Sequence, residues 1–407
     1  MADIPAETRL SNPLTWPFLA AFAGCCLLFW WLQSLLLHFW LDVDIPLEPS
    51  ILWISLGGLA TFTLGYILPS PRLPTLSTSP AVLNRCEEFS YKATLILALP
   101  AIVVALRYAV YRWHVGDYFE GEGITLPEQA VMYVYLFFNL LYISAVADPK
   151  TDKKKVILVI LLAIAPRMLV SFWWRRFFVA QAVIPIVLIA LARGWIKLSF
   201  KRFVQMVVLG LFILFVPALT RGDNVFGEDE YGRPQLVNYF GYMNTLGFFQ
   251  DNLNLKYGCP PILVSFSQKV IPYSTLGICT IDVGNDKRVP AALDIILTKQ
   301  DSDDLMAGTG SNYLLELYLA GGLPAIFVGS TLFGFTCRRF VELIGHRSLY
   351  AAIWAESLSR ALLAPRGNLG YVFERIPSEV LAIWVVVILS WALFVLRSRR
   401  NRVTTTT

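Results

Sequence analysis

The stretch GTGSNYLLELYLAGGLPAIFVGSTLFG, residues 308–334, decides the fold. It opens as a polar, glycine-rich loop and runs directly into an apolar segment long enough to cross a bilayer. Similar apolar runs of roughly 17 to 25 residues recur along the chain, and 56% of its 407 residues are hydrophobic. The sequence therefore predicts an all-α fold, a polytopic integral membrane bundle of helices.

We predict ten transmembrane spans, with one long connection between spans seven and eight. That connection, residues 221–311, is rich in Gly, Pro, Asn and Asp and is the only extended stretch outside the membrane. The first span is too long and too rich in Trp for a cleaved signal peptide, so we expect it to be retained. The whole chain is then a single membrane domain, residues 1–407. The predicted spans are 14–41, 50–69, 93–113, 128–147, 155–174, 177–192, 203–220, 312–335, 349–364 and 378–397.

Lysine and arginine cluster in four places that share one side of the membrane if there are ten spans. These places are DPKTDKKK, ARGWIKLSFKR, CRRFVELIGHRS and the tail RSRRNR. The positive-inside rule assigns that side to the cytoplasm, together with both termini. The long connection and any active site next to it then face the outer side of the membrane. Because the basic residues are spread over many short loops, we expect no nucleic-acid binding.

Charged side chains inside a span are costly and usually mark a functional site or an internal pair. Arg167 lies about 18 Å along its helix from the cytoplasmic end of span five, in the outer half of the bilayer. Arg107, Arg360 and Glu316 are expected at the same outer level, which favours a shared cavity open to the outside. Two local alternatives are an i, i+4 pair between Glu356 and Arg360 and a salt bridge from Glu316 to an arginine.

Arginines also occur in the short outer connections, against the usual topological preference. Snorkelling to lipid headgroups is one explanation. An anionic substrate is another, because the planar guanidinium donors bind phosphate and diphosphate oxygens and stay protonated when partly buried. Aromatic residues beside these positions suit sugars, although they also form interfacial belts. A sugar linked to a lipid diphosphate would satisfy both groups of residues. The arginines are Arg175, Arg176, Arg366 and Arg375.

The glycines before span eight favour a tight turn close to a ligand, because glycine has no Cβ. Gly308 and Gly310 would make this turn, and Ser311 or Asn312 would cap the helix that follows. The helix N-terminus would then direct its positive dipole toward an anion. The alternative is a capped, closely packed helix without a ligand. Further along the span, close helix packing is expected at Gly321, Gly322, Gly329 and Gly334.

Two cysteines, Cys259 and Cys279, lie in the long connection and are its only cysteines. An oxidising compartment would allow them to form a disulfide, which the sequence leaves open. The other four cysteines lie in spans or inner loops, where they are expected to behave as small apolar residues.

In its layout over most of its length, and most sharply at residues 160–176 and 305–375, the chain resembles the Wzy-like polymerases of oligosaccharide repeat units, which include the O-antigen polymerases. That family has a glycine-rich G-x-G-x-S type loop, then an acidic residue, a Tyr and a glycine pattern in the next span. APRMLVSFWWRR is similar to an arginine-bearing span of the family and provides Arg167, and PRGNLGYVFERIP is similar to its late outer loop and provides Arg366. The residues that match the first pattern are Gly308, Gly310, Ser311, Glu316, Tyr318, Gly321 and Gly322.

The resemblance implies a membrane glycosyltransferase that needs no metal or other cofactor. It would transfer a growing glycan from a polyprenyl diphosphate, such as undecaprenyl diphosphate, onto another lipid-linked repeat unit, building O-antigen, capsule or exopolysaccharide. A flippase and a chain-length regulator are the implied protein partners. The implied catalytic residues are Arg366, Arg167 and Glu316, with Glu316 as the base ahead of Glu374 and Asp117. The implied substrate-binding residues are Arg175, Arg176, Arg360, Gly308, Gly310, Ser311, Asn312 and Tyr318.

Three other functions remain open at this point. A metal-dependent membrane glycosyltransferase would use acidic pairs in early outer loops. An O-antigen ligase would share the donor and differ only in the acceptor. A flippase or transporter of lipid-linked sugar would need access from both sides, which the apolar inner halves of the spans disfavour. The acidic residues for a metal would be Asp42, Asp44, Asp117, Glu120 and Glu122.

Overall fold

A computed structural model provides the architecture. It describes residues 12–32, 49–69, 79–115, 125–147, 153–173, 177–197, 199, 201, 205, 256–257, 280–282, 288–290, 312–366, 369–373 and 375–404.

Ten α-helices account for most of the described residues. The first continues into a π-helical turn, Leu27–Leu32, and a 3-10 turn, Ala364–Arg366, lies between the eighth and ninth. The helices are α1 (Thr15–Cys26), α2 (Pro49–Ile67), α3 (Pro80–Val115), α4 (Leu126–Ala145), α5 (Lys153–Trp173), α6 (Phe177–Ala192), α7 (Tyr313–Ile344), α8 (Ala351–Ala361), α9 (Leu369–Phe373) and α10 (Ile376–Thr404).

The helices confirm the predicted all-α membrane bundle. They overlap nine of the ten predicted spans, and span seven, 203–220, falls almost wholly outside the described residues. Within the described part, four helical segments are long and apolar enough to cross a membrane. They are Pro49–Ile67, Pro80–Val110, Ala320–Ile344 and Ile376–Leu396. The total number of spans stays a prediction.

Three short strands in the long connection were not predicted. They are β1 (Lys256–Tyr257), β2 (Thr280–Asp282) and β3 (Arg288–Pro290), and they pair in that order as an antiparallel sheet. In the register of β1 and β2, Tyr257 lies opposite Ile281. Cys259 and Cys279 lie outside the described residues, so their disulfide stays a prediction.

Helices α2 and α7 pack closely against each other through glycines. A Cβ on Gly65 would lie 1.9 Å from the carbonyl oxygen of Thr331, and one on Gly334 would lie 2.0 Å from that of Phe62. Only glycine permits such a close approach of two helix backbones. The close packing predicted at Gly334 is therefore confirmed.

The ninth predicted span, 349–364, is shorter than expected. Helix α8 has 11 residues, of which all but Trp354 are buried. Its length of about 16 Å is roughly half of a bilayer core. The chain then continues into the stretch 362–375, which includes the 3-10 turn and α9 and which we call the arginine loop because it contains Arg366 and Arg375. An interrupted helix is tolerated at membrane depth where its backbone is buried in protein.

Two arginines of the basic connections hold several helix ends together. Arg193, just after α6, donates to the carbonyl of Ser144 near the end of α4 (2.7 Å) and to that of His346 just after α7 (3.1 Å). Arg347 donates to the carbonyl of Ala145 at 2.6 Å. Burial, with a smaller effect from Arg347, lowers the pKa of Arg193 to about 10, which leaves it protonated at neutral pH. The basic connections after α6 and α7 therefore share one end of the bundle.

Candidate active site

Helix α7 is a helical hairpin rather than the single span predicted for 312–335. Gly321 and Gly322 have non-helical backbone, and Gly322 has a φ of 67°, which favours glycine. Residues 313–320, the short arm, fold back along residues 323–344, the long arm. A Cβ on Gly329 of the long arm would lie 2.4 Å from the Leu317 side chain of the short arm. The packing predicted for the first two glycines is therefore wrong, because they form the reversal.

Asn312 begins the short arm as its N-cap. Its side-chain oxygen accepts a hydrogen bond from the backbone N–H of Leu314 at 2.9 Å. This confirms the predicted capping role and leaves the alternative cap, Ser311, outside the described residues. The Tyr313 ring then packs against Phe333, with centroids 5.5 Å apart. Because Phe333 is in the middle of the long arm, the short arm begins deep within the bundle.

Two buried hydrogen bonds attach the arginine loop to the rest of the bundle. Glu316, 1% exposed on the short arm, accepts the backbone N–H of Leu369 at 2.6 Å. Trp30, in the π-helical turn, donates its indole N–H to the carbonyl of Pro365 at 2.9 Å. Arg366, the last residue of the 3-10 turn, therefore lies between two anchored backbone groups.

A cluster of charged side chains, which we call the ionic cluster, lies where the arginine loop begins and ends. It contains Glu356, Arg360, Arg375 and Glu379. Arg360 of α8 pairs with Glu356 one turn earlier, which confirms the predicted i, i+4 contact. A guanidinium nitrogen of Arg360 lies 3.6 Å from the carboxylate of Glu379 on α10. A guanidinium nitrogen of Arg375 lies 3.6 Å from a carboxylate oxygen of Glu356. Arginines before and at the end of the arginine loop therefore approach the same carboxylate. Such shared pairing is how buried charges are tolerated.

Helices α4 and α5 add a cation and an aromatic ring to this cluster. Arg167 is fully buried, donates to the carbonyl of Met132 at 2.9 Å and interacts electrostatically with Glu356 and Arg375. The guanidinium of Arg375 lies 4.0 Å from the centroid of the Tyr133 ring, a cation–π contact. Three arginines thus accompany two glutamates, and the described cluster has one more formal positive charge than negative.

The described contacts of Arg107 lie outside this cluster, and its predicted depth stays a prediction. It pairs with Glu128, and the same carboxylate accepts hydrogen bonds from Thr125 at the start of α4. The Arg107 side chain is 53% exposed. Its role in the described contacts is therefore to secure the N-terminus of a helix.

The structure describes only part of the predicted site. It brings together Arg167 and Arg360, and it attaches Glu316 to the loop that begins after Arg360. Tyr318 lies half-buried on the short arm, and for Arg366 the backbone but not the side chain is described. The acidic candidates of the early outer loops and Glu374 are outside the described residues. The predicted substrate-binding residues outside them are Arg175, Arg176, Gly308, Gly310 and Ser311.

Sequence analysis missed Glu379 and Trp30. Glu379 follows Arg375 by four residues at the start of an apolar span, a spacing that indicates a helical charge pair. Trp30 lies in a run of apolar and aromatic residues, and nothing local distinguishes it from an interfacial tryptophan. Among the described residues, no group of three or more His, Cys, Asp or Glu side chains is placed to hold a metal ion.

Comparison with known proteins gives one informative match. The model of the family described as O-antigen polysaccharide polymerase Wzy matches residues 300–399. Searches among curated proteins and among solved structures found no match. The matched region contains the helical hairpin, the arginine loop and four residues of the ionic cluster. These four are Glu356, Arg360, Arg375 and Glu379. The match over residues 300–399 therefore supports assigning this integral membrane chain to the Wzy-like family of O-antigen polymerases.

Proposed function

We propose that the chain polymerises oligosaccharide repeat units linked to polyprenyl diphosphate, on the extracytoplasmic side of a bacterial inner membrane. A hydroxyl of the acceptor unit forms a glycosidic bond to the anomeric carbon of the growing glycan. The bond from that carbon to the diphosphate breaks, and the lipid diphosphate leaves with the electron pair. The product is a surface polysaccharide of the O-antigen, capsule or exopolysaccharide type.

The observation that supports this proposal best is the gathering of three arginines at the base of the arginine loop. Arg167, Arg360 and Arg375 gather around Glu356 and Glu379, and such a concentration of guanidinium groups suits an oxyanion ligand. In a site that excludes water, guanidinium groups stabilise the charge that develops on a leaving diphosphate more strongly than they do in water. Arg366 would add a fourth guanidinium to this set, because its 3-10 turn begins three residues after the end of α8, the helix that carries Arg360.

The same proposal assigns roles to the remaining predicted residues. Arg175 and Arg176 would bind the diphosphate as the chain leaves α5, and Tyr318 would contact sugar from the short arm. Gly308, Gly310 and Ser311 would bring backbone N–H groups close to the anion. We propose that arginine takes the place of a metal ion in this reaction, and that a flippase and a chain-length regulator act with the chain.

Complementation in the source bacterium tests this function, and it does not require the sugars to be identified. A strain that lacks the chain should accumulate single lipid-linked repeat units, and the wild-type chain should restore a ladder of longer glycans on a gel. Arg167→Lys and Arg366→Lys should each lower the yield of long glycans by about a hundredfold, because lysine keeps the charge and loses the planar fork.

The matched control is Arg107→Lys, since Arg107 was expected at the same depth and instead pairs with Glu128. It should restore the ladder nearly as well as wild type, at equal protein levels in the membrane. A deletion strain that still forms long glycans would contradict the polymerase function. Ladders unaffected by both cluster substitutions would contradict the assignment of the arginines.

A further inference from the structure

The buried hydrogen bonds of Glu316 and Trp30 reach the arginine loop from different parts of the chain. Glu316 accepts from the N–H of Leu369, just after Arg366, and Trp30 donates to the carbonyl of Pro365, just before it. Both bonds are buried, and both join a side chain to backbone more than fifty residues away. A backbone segment held on each side of one residue has few other positions available to it.

The two anchors also contact each other through the short arm. The Trp30 ring lies 5.8 Å from that of Tyr313, centroid to centroid, and Tyr313 precedes Glu316 by three residues on the same short helix. The N-cap of Asn312 determines where that helix begins. The close approach of Leu317 to Gly329 packs one face of the helix against the long arm. The position of the short arm therefore determines where Glu316 meets the arginine loop.

The environment of Glu316 is unlike that of a general base. A base must lie within hydrogen-bonding reach of the hydroxyl proton that it removes. The Glu316 side chain is 1% exposed, and one carboxylate oxygen already accepts a short hydrogen bond from backbone.

We propose that Glu316 and Trp30 are positioning residues that hold Arg366 where the diphosphate binds, and that Glu316 removes no proton. This proposal rests on the proposed function. The hydroxyl proton of the acceptor then passes to an oxygen of the departing diphosphate, which accepts it as the carbon–oxygen bond breaks. The arginines of the protein bind and stabilise the diphosphate, and the departing diphosphate itself acts as the base.

Glu316→Gln and Glu316→Leu separate positioning from proton transfer. Glutamine keeps an oxygen that can accept from Leu369 and cannot act as a base, whereas leucine removes the acceptor altogether. We expect Glu316→Gln to retain polymerisation within about threefold to fivefold of wild type and Glu316→Leu to lose at least about tenfold. The pH profile of the glutamine variant should match that of wild type.

Trp30→Phe, with Trp31→Phe as its matched control, tests the other anchor. Phenylalanine keeps the aromatic packing at position 30 and removes the N–H that reaches Pro365. The neighbouring Trp31 donates to the hydroxyl of Ser55 at 3.1 Å and makes no described contact with the arginine loop. We expect a loss of about fivefold or more for Trp30→Phe and less than about twofold for Trp31→Phe.

Hydrogen–deuterium exchange gives a readout that does not depend on activity. Peptides covering 362–375 should exchange faster in Glu316→Leu and Trp30→Phe, and at the wild-type rate in Glu316→Gln and Trp31→Phe. If Glu316→Gln is as inactive as Glu316→Leu while its loop exchanges normally, Glu316 is the base and the proposal is overturned. If wild type lacks polymerase activity, only the proposed function fails, because the exchange rates still report on anchoring.

Discussion

Glu356 is the residue on which the ionic cluster depends. It pairs with Arg360 within α8 and lies 3.6 Å from Arg375 across the arginine loop. The first contact could be predicted from the sequence, because residues four apart meet on a helix. The approach of Glu379 to Arg360 could not, since it requires α10 to pack beside α8. Spacing therefore predicts pairs within one helix, while clusters across helices depend on tertiary packing.

Removal of the Arg360 cation should be strongly destabilising. Arg360→Met leaves Glu356 and Glu379 close together without the guanidinium between them, and a buried ion pair that loses one partner costs about 3–5 kcal/mol. The free energy of unfolding should fall by that amount in a fixed detergent. The control is Lys92→Met, which removes an exposed pair with Glu88 and should cost less than about 1 kcal/mol. Equal losses in the two variants would contradict the network.

At the scale of elements, the hairpin of α7 is the feature that sequence analysis described incorrectly. The apolar pattern continues through Gly321 and Gly322, so composition does not distinguish a straight span from a reversal. Glycine pairs are also common where membrane helices pack closely. The reversal is decided by contacts distant in sequence, such as Leu317 against Gly329 and Tyr313 against Phe333. Such contacts leave no periodic signal in a single sequence.

Two glycine-to-alanine substitutions test how α7 packs against α2. In Gly334→Ala the new methyl would lie 2.0 Å from the carbonyl oxygen of Phe62, so the two helices would have to separate. We expect a loss of about 1–3 kcal/mol in the free energy of unfolding. Gly24→Ala is the matched control, because nothing lies within 4 Å of its new Cβ in α1.

In the control, the higher helix propensity of alanine should leave stability unchanged or raise it by up to about 1 kcal/mol. Both free energies are measured by the same denaturant titration in one detergent. A tolerated Gly334→Ala would indicate that the two backbones are further apart than described.

At the scale of the whole molecule, hydrophobic run length predicted most of the helices and the class of the fold. The basic connections were predicted on one side, and Arg193 and Arg347 do bring the connections after α6 and α7 to one end of the bundle. The predicted length of span nine was wrong, because α8 ends after 11 residues and the arginine loop begins. Leu362, Leu363 and Ala364 continue the apolar composition past that end, but Pro365 follows them. Because proline cannot continue a helix, the shorter length could have been predicted from the sequence.

Polymerisation by the purified chain tests the central claim most directly. The substrate is the pool of lipid-linked repeat units extracted from a strain that lacks the chain, added to sealed vesicles that contain the purified protein. We predict a ladder of longer lipid-linked glycans, formed equally well in the presence of EDTA. The absence of a ladder, together with movement of labelled lipid-linked sugar across the vesicle membrane, would contradict the polymerase and identify a transporter.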